Sequence, residues 1–366
     1  MEEEKESMAE LKTQTKEKQK SEKEREDEKD FISALPDDVL LHIIHFVDTV
    51  TAVRTSFLSK RWNNLWKCLT ALSFRPRDFK TVVTYNQFVF RVLAQRDTSI
   101  RVHHLDLEAC DNVTVDSLCL FVSLLHFVPN LILHSDSKPT KQYYYSIPAF
   151  SSPYLTSLTL TLTEQYACRI LELPKSLELP ALKTLNLTHV SFAAGDNDEY
   201  SEPFSSCFLL NSLVLVGCSI KNPAKVLVIS NPNLSRFTVK KNFEAKYKIL
   251  LSTSNLTHLD IRSSTTFHDV NSTCDLALLE EANIGITRAS HLNVQKLLKI
   301  ISYAKILTLS EYVLRAILRC VSDPRILPPR FVRLETLKGK KIKGRKVLMK
   351  YLLQNSERKE VEVINF

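Results

Sequence analysis

Histidines and cysteines are the first residues whose types could support chemistry. His42 and His45 stand three apart, and His103 directly precedes His104. A protein zinc site needs three or four ligands at close spacing, as in H-E-x-x-H or paired C-x-x-C motifs, and neither pattern occurs. The eight cysteines are scattered along the chain. The sequence therefore predicts no metal site and no redox dithiol.

Nucleophilic and nucleotide chemistry also lack their motifs. No G-x-S-x-G occurs, and the chain has only 5 glycines. Loops that hold phosphate groups need glycine so that the backbone can approach the anion, and neither G-x-G-x-x-G nor G-x-x-x-x-G-K-[ST] is present. We therefore expect no catalytic residues and no cofactor.

The charge is basic overall but unevenly distributed. Formal net charge is +8, although residues 1–30 hold more carboxylates than cations. A basic balance is compatible with nucleic-acid binding or with a basic face on a soluble protein. The basic string at 338–346 is compatible with a nuclear signal, a nucleic-acid contact or a solvated loop. Aromatic residues that would stack on bases are not interleaved with it, so nucleic acid is the less favoured partner.

Targeting features are weak. The first residues lack the apolar core of a signal peptide, and the longest apolar run, 118–133, is interrupted by polar residues and is too short to span a bilayer. We expect a soluble intracellular protein of the nucleus, the cytoplasm or both. Its cysteines would then be reduced.

Residues 35–66 read as three short helices. Pro36 suits the first helical position, and Asp48 is a candidate N-cap for the second helix. One apolar face follows from the helical spacing of Val39, Leu40, Ile43, Ile44 and Val47. A unit this small cannot bury all of its apolar side chains, so the pattern predicts a protein interface.

A repeated L-x-x-L-x-L motif dominates the middle of the chain. It begins at Leu155, Leu182, Leu210, Leu234 and Leu256, in steps of 27, 28, 24 and 22 residues. An alternating strand precedes it at 104–107, and weaker members follow at 276–279 and 306–309. A period in the twenties with this motif is typical of leucine-rich repeats, which bury their apolar faces only by stacking.

The predicted fold class is therefore α/β. A small all-α unit of three helices precedes a solenoid of parallel strands with helical or irregular returns, and an α+β cap closes the C-terminal end. The predicted division is a disordered charged tail at 1–30, the helical unit at 31–75, the solenoid at 76–310 and the cap at 311–366. Within the cap we expect an amphipathic helix or a strand–helix transition at 311–321, a helix at 347–354 and strands at 331–337 and 361–366.

Residues 31–66 resemble the F-box of plant proteins that join an F-box to leucine-rich repeats. The matching strings are Leu35-Pro36-Asp37-Asp38-Val39-Leu40 and Leu58-Ser59-Lys60-Arg61-Trp62. The C-terminal segment resembles the FBD domain of the same family through Leu334-Glu335, Gly344-Arg345 and Tyr351-Leu352-Leu353. The chain departs from the family at Asp48, where a proline is usual.

The resemblance implies a non-catalytic adaptor of an SCF-type ubiquitin ligase. The F-box would bind the Skp-type linker, and through it a cullin, while the solenoid binds the protein to be ubiquitinated. Leu35, Pro36, Val39, Leu40, Ile43 and Ile44 would face the linker. Leu58, Lys60, Arg61, Trp62 and Trp66 would complete that surface or the small core beneath it.

Substrate contacts are expected at outward strand positions on the concave surface of the solenoid. The candidates are Lys183, Asn186, Arg236, Thr238, His258 and Asp260. Two alternatives stay open: a repeat scaffold that binds proteins without ligase coupling and, less favoured, a small-molecule receptor.

Overall fold

A computed structural model describes residues 32, 34–109, 128–135, 143–146, 150–162, 169–194, 199–221, 224–241, 247–263, 270–287, 291–321, 330–340, 342–354 and 362–364. The chain divides into two compact units, Met1–Leu69 and Thr70–Phe366. The predicted disordered tail at 1–30 lies outside the described residues. The two units are taken in turn.

The first unit is helical. Helix α1 covers Asp37–Ile44 and helix α2 covers Thr49–Arg54, and 3-10 segments follow at Thr55–Phe57 and Trp62–Cys68. The third predicted helix is thus a 3-10 segment. Its first residue, Trp62, donates its backbone N–H to the Ser59 carbonyl, and no side-chain cap holds that end.

A small core holds the first unit together. Helix α1 and the Thr55–Phe57 segment both pack against Trp62–Cys68. The buried side chains are Leu40, Ile44, Val50, Ala52, Trp62, Trp66 and Leu69. The Nε of Arg61 donates to Asp37 at 2.6 Å and joins the start of the 3-10 segment to the start of α1. This ion pair lies at the surface, so the buried side chains supply most of the stability.

The second unit is built on one long parallel sheet. Twelve strands lie side by side in chain order within the described residues, and every neighbouring pair is parallel. They are β1 Ala71–Phe74, β2 His104–Ala109, β3 Asn130–Ser135, β4 Ser157–Leu162, β5 Thr184–Thr188, β6 Ser212–Val216, β7 Arg236–Lys241, β8 His258–Ser263, β9 Glu281–Ile286, β10 Ile306–Leu309, β11 Thr336–Gly339 and β12 Glu362–Ile364.

The register of this sheet reproduces the predicted repeat. Ser157 pairs with Thr184, which pairs with Ser212, and the ladder continues to Arg236 and His258. These are the same steps as those between successive motif leucines. Within each repeat the motif positions are buried and the positions between them face outward, as the alternating burial of β5 and β6 shows. The repeats therefore stack as the sequence predicts.

Two repeats differ from the prediction. Strand β3 begins near the end of the apolar run at 118–133, where the sequence pattern predicts no strand, and its buried Leu131 pairs with Leu105 of β2. The weak member at 276–279 is placed three residues too early. The buried motif there runs from Leu279 through Ala282 to Ile284. A small alanine at the central motif position hides this repeat from a search for leucines.

A second layer closes the core. Its strands in the return segments are Tyr143–Ser146, Phe150–Ser151, Arg169–Leu173, Leu177–Glu178, Val190–Phe192, Tyr200–Ser201, Ser219–Ile220, Val226–Ile229, Lys248–Leu251 and Val270–Ser272. The buried thiol of Cys218 donates to the Leu187 carbonyl at 3.4 Å, as expected of the small residue that ends a repeat strand. Hydrogen bonds of this kind satisfy buried carbonyls where the chain turns.

The other segments that connect successive strands of the main sheet contain helices instead of strands. Helix α3 covers Val82–Gln95, α4 covers His291–Ile300, α5 covers Glu311–Val321 and α6 covers Arg345–Leu353, and a 3-10 turn spans Pro76–Asp78. Helix α5 packs against both α4 and α6. None of the described helices is long and apolar enough to cross a membrane.

The C-terminal segment continues the same ladder. Strand β11 pairs in parallel with β10, and β12 pairs with β11. Helix α5 has its predicted bounds, whereas β11 begins five residues later than its predicted strand and α6 begins two residues earlier than its predicted helix. The basic string begins in the last two residues of β11, continues through 340–344 and ends in the first two residues of α6. The domain boundaries at 75/76 and 310/311 stay predictions.

Candidate partner-binding surfaces

The first unit exposes a set of large apolar side chains. Val39, Ile43, Phe46 and Val47 follow helical spacing along α1 and the turn after it, and Phe46 is 79% exposed. Phe57 and Leu58 add a second group beside the Thr55–Phe57 segment, at 87% and 69% exposure. We call these six residues the exposed apolar set. Apolar side chains left in water at this density are typical of a protein interface.

The predicted linker contacts divide between this surface and the core. Pro36, Val39, Ile43, Leu58, Lys60 and Arg61 are exposed, and Leu35 is half-buried. Leu40 and Ile44 were predicted to face the linker, but the structure buries both of them inside the unit. They lie about 100° around the axis of α1 from Val39 and Ile43, because successive residues of a helix point about 100° apart. Trp62 and Trp66 are buried as well.

Among the described residues of the first unit, Phe46 and Phe57 are the most exposed large apolar side chains, and neither was a predicted site residue. Phe46 follows Val39 at a spacing of seven and Ile43 at a spacing of three, so the helical period of the apolar face could have identified it. Phe57 carries no such signal. Its exposure depends on the 3-10 geometry of its segment, which the sequence pattern does not specify.

The open face of the main sheet carries the predicted substrate residues. Arg236 of β7 lies directly beside His258 of β8, and Thr238 lies beside Asp260. These four residues form one cluster. Asn186 is separated from it by strand β6, and its amide donates to the Thr159 hydroxyl at 3.2 Å.

Lys183 lies off this cluster. It immediately precedes β5 and is exposed, and its backbone carbonyl accepts a hydrogen bond from the backbone N–H of Ser212. Its role in the fold is therefore to begin the ladder between two strands. A contact between its side chain and substrate stays a prediction.

An ion-pair network covers the first strands of the same face. Arg75, just after β1, donates to Asp106 of β2 at 2.8 Å, and His134 of β3 lies 4.0 Å from that carboxylate. The hydrogen bond with Asp106 raises the pKa of Arg75. The opposite charges at this end of the face therefore offset one another.

The described residues contain no group of three or more histidine, cysteine or acidic side chains that could hold a metal ion. His45 is hydrogen-bonded to the Leu41 carbonyl of its own helix at 2.7 Å, and the ring of His42 packs edge-on against Phe46. Burial raises the pKa of the Cys207 thiol to about 11, so this thiol is protonated and unreactive at neutral pH. None of these groups is arranged for catalysis.

Comparison with known proteins identifies the first unit. The F-box domain model matches residues 32–70, which nearly coincide with the described part of that unit. Similar Arabidopsis thaliana proteins include an F-box/LRR-repeat protein, 30% identical over 227 residues, covering 58% of this chain and 58% of the relative. A putative F-box/FBD/LRR-repeat protein is 27% identical over 309 residues, covering 76% of this chain and 66% of the relative. The chain is thus similar to plant F-box/leucine-rich-repeat proteins, and its residues 32–70 match the F-box domain.

The match extends over the repeats as well as the F-box. An FBD-associated F-box protein of the same plant is 30% identical over 222 residues, covering 57% of this chain and 50% of the relative. The chain thus spans between half and about two thirds of the length of these relatives. The F-box supplies the exposed apolar set, and the repeats supply the open face.

Proposed function

We propose that the chain is the substrate-recognition subunit of an SCF-type ubiquitin ligase. Its F-box binds the Skp-type linker, which attaches to a cullin, and the open face of its repeats binds the protein to be ubiquitinated. The observation that carries the proposal is the exposed apolar set on the F-box.

The energetics favour docking of this set. Burying a single large apolar side chain contributes about 1.5–3 kcal/mol. Six such side chains on so small a unit offer enough apolar surface to form the centre of an interface. The buried core supports this surface indirectly, because its side chains hold α1 and the 3-10 segment in place. These side chains are Leu40, Ile44, Trp62 and Trp66.

The second half of the proposal rests on the repeats. Each strand places its outward side chains in rows that run across the whole sheet, with neighbouring strands about 4.8 Å apart. Such a face presents many side chains at fixed positions across several strands. It therefore suits a protein segment as its ligand.

Co-purification with the linker tests the proposal. The full chain is expressed with a plant Skp-type linker carrying the affinity tag, and retention of the chain is measured. Wild type is expected to be retained. Ile43→Glu combined with Leu58→Glu is expected to lose retention by at least about tenfold, since each charge would be buried at the interface. Both residues are exposed, so the free F-box should still fold.

Phe208→Glu combined with Leu209→Glu is the matched control. These two residues are also exposed and apolar, but they lie in the repeat unit. The control should bind the linker as wild type does. Absence of binding by wild type, or equal loss in both double variants, would instead support a repeat scaffold without ligase coupling.

A further inference from the structure

The last outward position of each strand forms a row along one margin of the open face. From β4 to β9 this row contains Thr161, Thr188, Val216, Lys240, Arg262 and Gly285, and each residue pairs in register with the next. We call it the exit row. Lys240 and Arg262 are neighbours in it, on adjacent strands whose backbones lie about 4.8 Å apart.

No carboxylate in the exit row offsets these two cations. The nearest acid on the same strands is Asp260, whose Oδ1 accepts from the Nε of Arg262 at 2.9 Å. That bond leaves the terminal nitrogens of Arg262 available, and the Arg262 side chain is 52% exposed. Among the described residues, no hydrogen bond or ion pair engages the Lys240 ammonium group.

Arg236, the arginine of the predicted substrate cluster, lies in a different row from Lys240 and Arg262. Arg236 lies beside His258 in the first outward row, and Glu281 of β9 follows directly beside His258. Glu281 thus supplies a carboxylate in that row. The exit row differs from it in having two cations and no carboxylate of its own.

The neighbours of the pair in the exit row are small or uncharged. Gly285 lies beside Arg262 on β9 and has no side chain, and a Cβ placed there would contact Cγ of Arg262 at 3.5 Å. On the other side, Val216 and Thr188 are uncharged. An extended chain can therefore cross β4–β6 over uncharged residues and reach two cations at β7 and β8.

We infer that the Lys240–Arg262 pair binds Asp or Glu side chains of an extended segment in the protein to be ubiquitinated. The inference rests on the proposed function and specifies the chemistry of its substrate. An arginine and a lysine side by side bind carboxylates through charge-assisted hydrogen bonds, which are stronger than neutral ones. The same face also carries Asp260 and Glu281, which would repel the continuous phosphate backbone of a nucleic acid. A peptide avoids this repulsion, because its acidic side chains can lie at the cations and nowhere else on the face.

Peptide selection tests this inference. The purified full chain is immobilised and used to select binders from a phage library of random dodecapeptides. Wild type is expected to enrich Asp and Glu by about twofold or more over the input library, because complementary charge determines specificity at such a surface. Lys240→Glu combined with Arg262→Glu is expected to abolish this enrichment and to enrich Lys and Arg in its place.

The second layer provides a control with the same change of charge. Lys225 and Lys248 are exposed residues of the same region, and the Lys248 N–H donates to the Lys225 carbonyl. Lys225→Glu combined with Lys248→Glu should retain the wild-type preference for acids. Thermal unfolding of all three proteins by circular dichroism checks that they are equally folded.

Three results would overturn the inference: no acidic enrichment by wild type, acidic enrichment that survives in the Lys240/Arg262 variant, or its loss in the control.

A fluorescent duplex oligonucleotide is tested in parallel. Binding of the duplex that displaces the selected peptides and depends on the same two residues would assign the pair to nucleic acid. Linker binding is measured on the same preparations. If wild type does not bind the linker but still selects acidic peptides, the ligase proposal fails. The assignment of the Lys240–Arg262 pair to acidic segments then still holds.

Discussion

Asp48 shows how one side chain positions part of the F-box surface. It is the N-cap of α2, and its carboxylate accepts from the backbone N–H and from the hydroxyl of Thr51, each at 2.8 Å. Helix α2 has only six residues, so one cap satisfies a large share of its free N–H groups. Asp48 directly follows Val47, which belongs to the exposed apolar set. The cap therefore fixes the turn that presents Phe46 and Val47.

We predict that Asp48→Ala destabilises the F-box by about 1 kcal/mol. Desolvation alone would raise the pKa of Asp48, but its hydrogen bonds with Thr51 and the backbone outweigh that effect and lower the pKa below 3.8. Because the folded-state pKa is depressed, the stabilisation is complete above the unfolded-state pKa and is lost as the pH falls through the folded-state pKa. The difference between wild type and variant should thus be constant above about pH 5 and shrink below pH 4.

Urea unfolding monitored by tryptophan fluorescence at several pH values measures this difference. Asp48→Asn keeps a neutral acceptor and is the control, with a small cost that does not change with pH. A difference between wild type and Asp48→Ala that persists unchanged at pH 3 would show that the charge of Asp48 does not contribute.

Some residue-scale features could not be predicted from the sequence. His189 adopts a φ of 57°, and Gly217 adopts a φ of 60° at the end of the next strand. A Cβ on Gly217 would lie 2.5 Å from the His189 ring, so only glycine fits there. The sequence shows a glycine after a strand, but the reason for it is a side chain from a neighbouring repeat. Contacts of this kind depend on stacking, which no local pattern contains.

Within each strand, buried and outward side chains alternate, so different residues contribute to stability and to binding. In β5 the side chain of Leu185 is fully buried, while its neighbour Asn186 faces outward. We predict that Leu185→Ala costs about 2–5 kcal/mol, through lost burial and a residual cavity. Asn186→Ala should change stability by less than about 0.5 kcal/mol, because it removes only a surface hydrogen bond.

Urea unfolding followed by far-ultraviolet circular dichroism compares the two variants. Equal costs would mean that β5 does not alternate as described. Peptide selection with the same proteins provides an independent readout, since only Asn186 lies on the open face.

The sequence predicted the elements best where burial is periodic. The steps between Leu155, Leu182 and Leu210 recur in the register of β4, β5 and β6, because stacked repeats must align their buried positions. The prediction was less accurate where the buried position is small, as at Ala282 of β9. It was also less accurate for the third F-box helix, because helical spacing does not distinguish an α-helix from a 3-10 segment of seven residues.

For the candidate sites, the sequence predicted segments better than side chains. It predicted α1 as an interface helix, which stays a prediction, and assigned Leu40 and Ile44 to the partner, although both are buried in the core of the unit. On the open face it selected Arg236 and His258 but did not identify Lys240 and Arg262. Their importance follows from the cross-strand register, which places them side by side, and from Gly285 beside them.

At the scale of the whole molecule, the two compact units differ greatly in the size of their cores. The F-box buries only a few large side chains, whereas the repeats bury several in each turn of the ladder. Small cores have low stability alone and gain it from a bound partner. The chain contains only two tryptophans, Trp62 and Trp66, and both lie buried in the F-box. Tryptophan fluorescence therefore reports on the F-box, while circular dichroism of strands reports mainly on the repeats.

We predict that the two signals separate during urea unfolding of the full chain. The fluorescence transition should occur at a lower urea concentration than the strand transition, because the F-box core is the smaller one. Adding the Skp-type linker at 100 times its dissociation constant should stabilise the F-box by about 2.7 kcal/mol and move the fluorescence transition upward. The strand transition should not move, since the linker binds only the F-box.

The Ile43→Glu and Leu58→Glu double variant is the control for this shift. It keeps both tryptophans and should unfold at the same urea concentration with or without the linker. If the two signals coincide in the free protein and move together when the linker is added, the F-box and the repeats unfold as one cooperative unit. Binding at the F-box would then also stabilise the repeat face, and linker and substrate would each increase the affinity for the other.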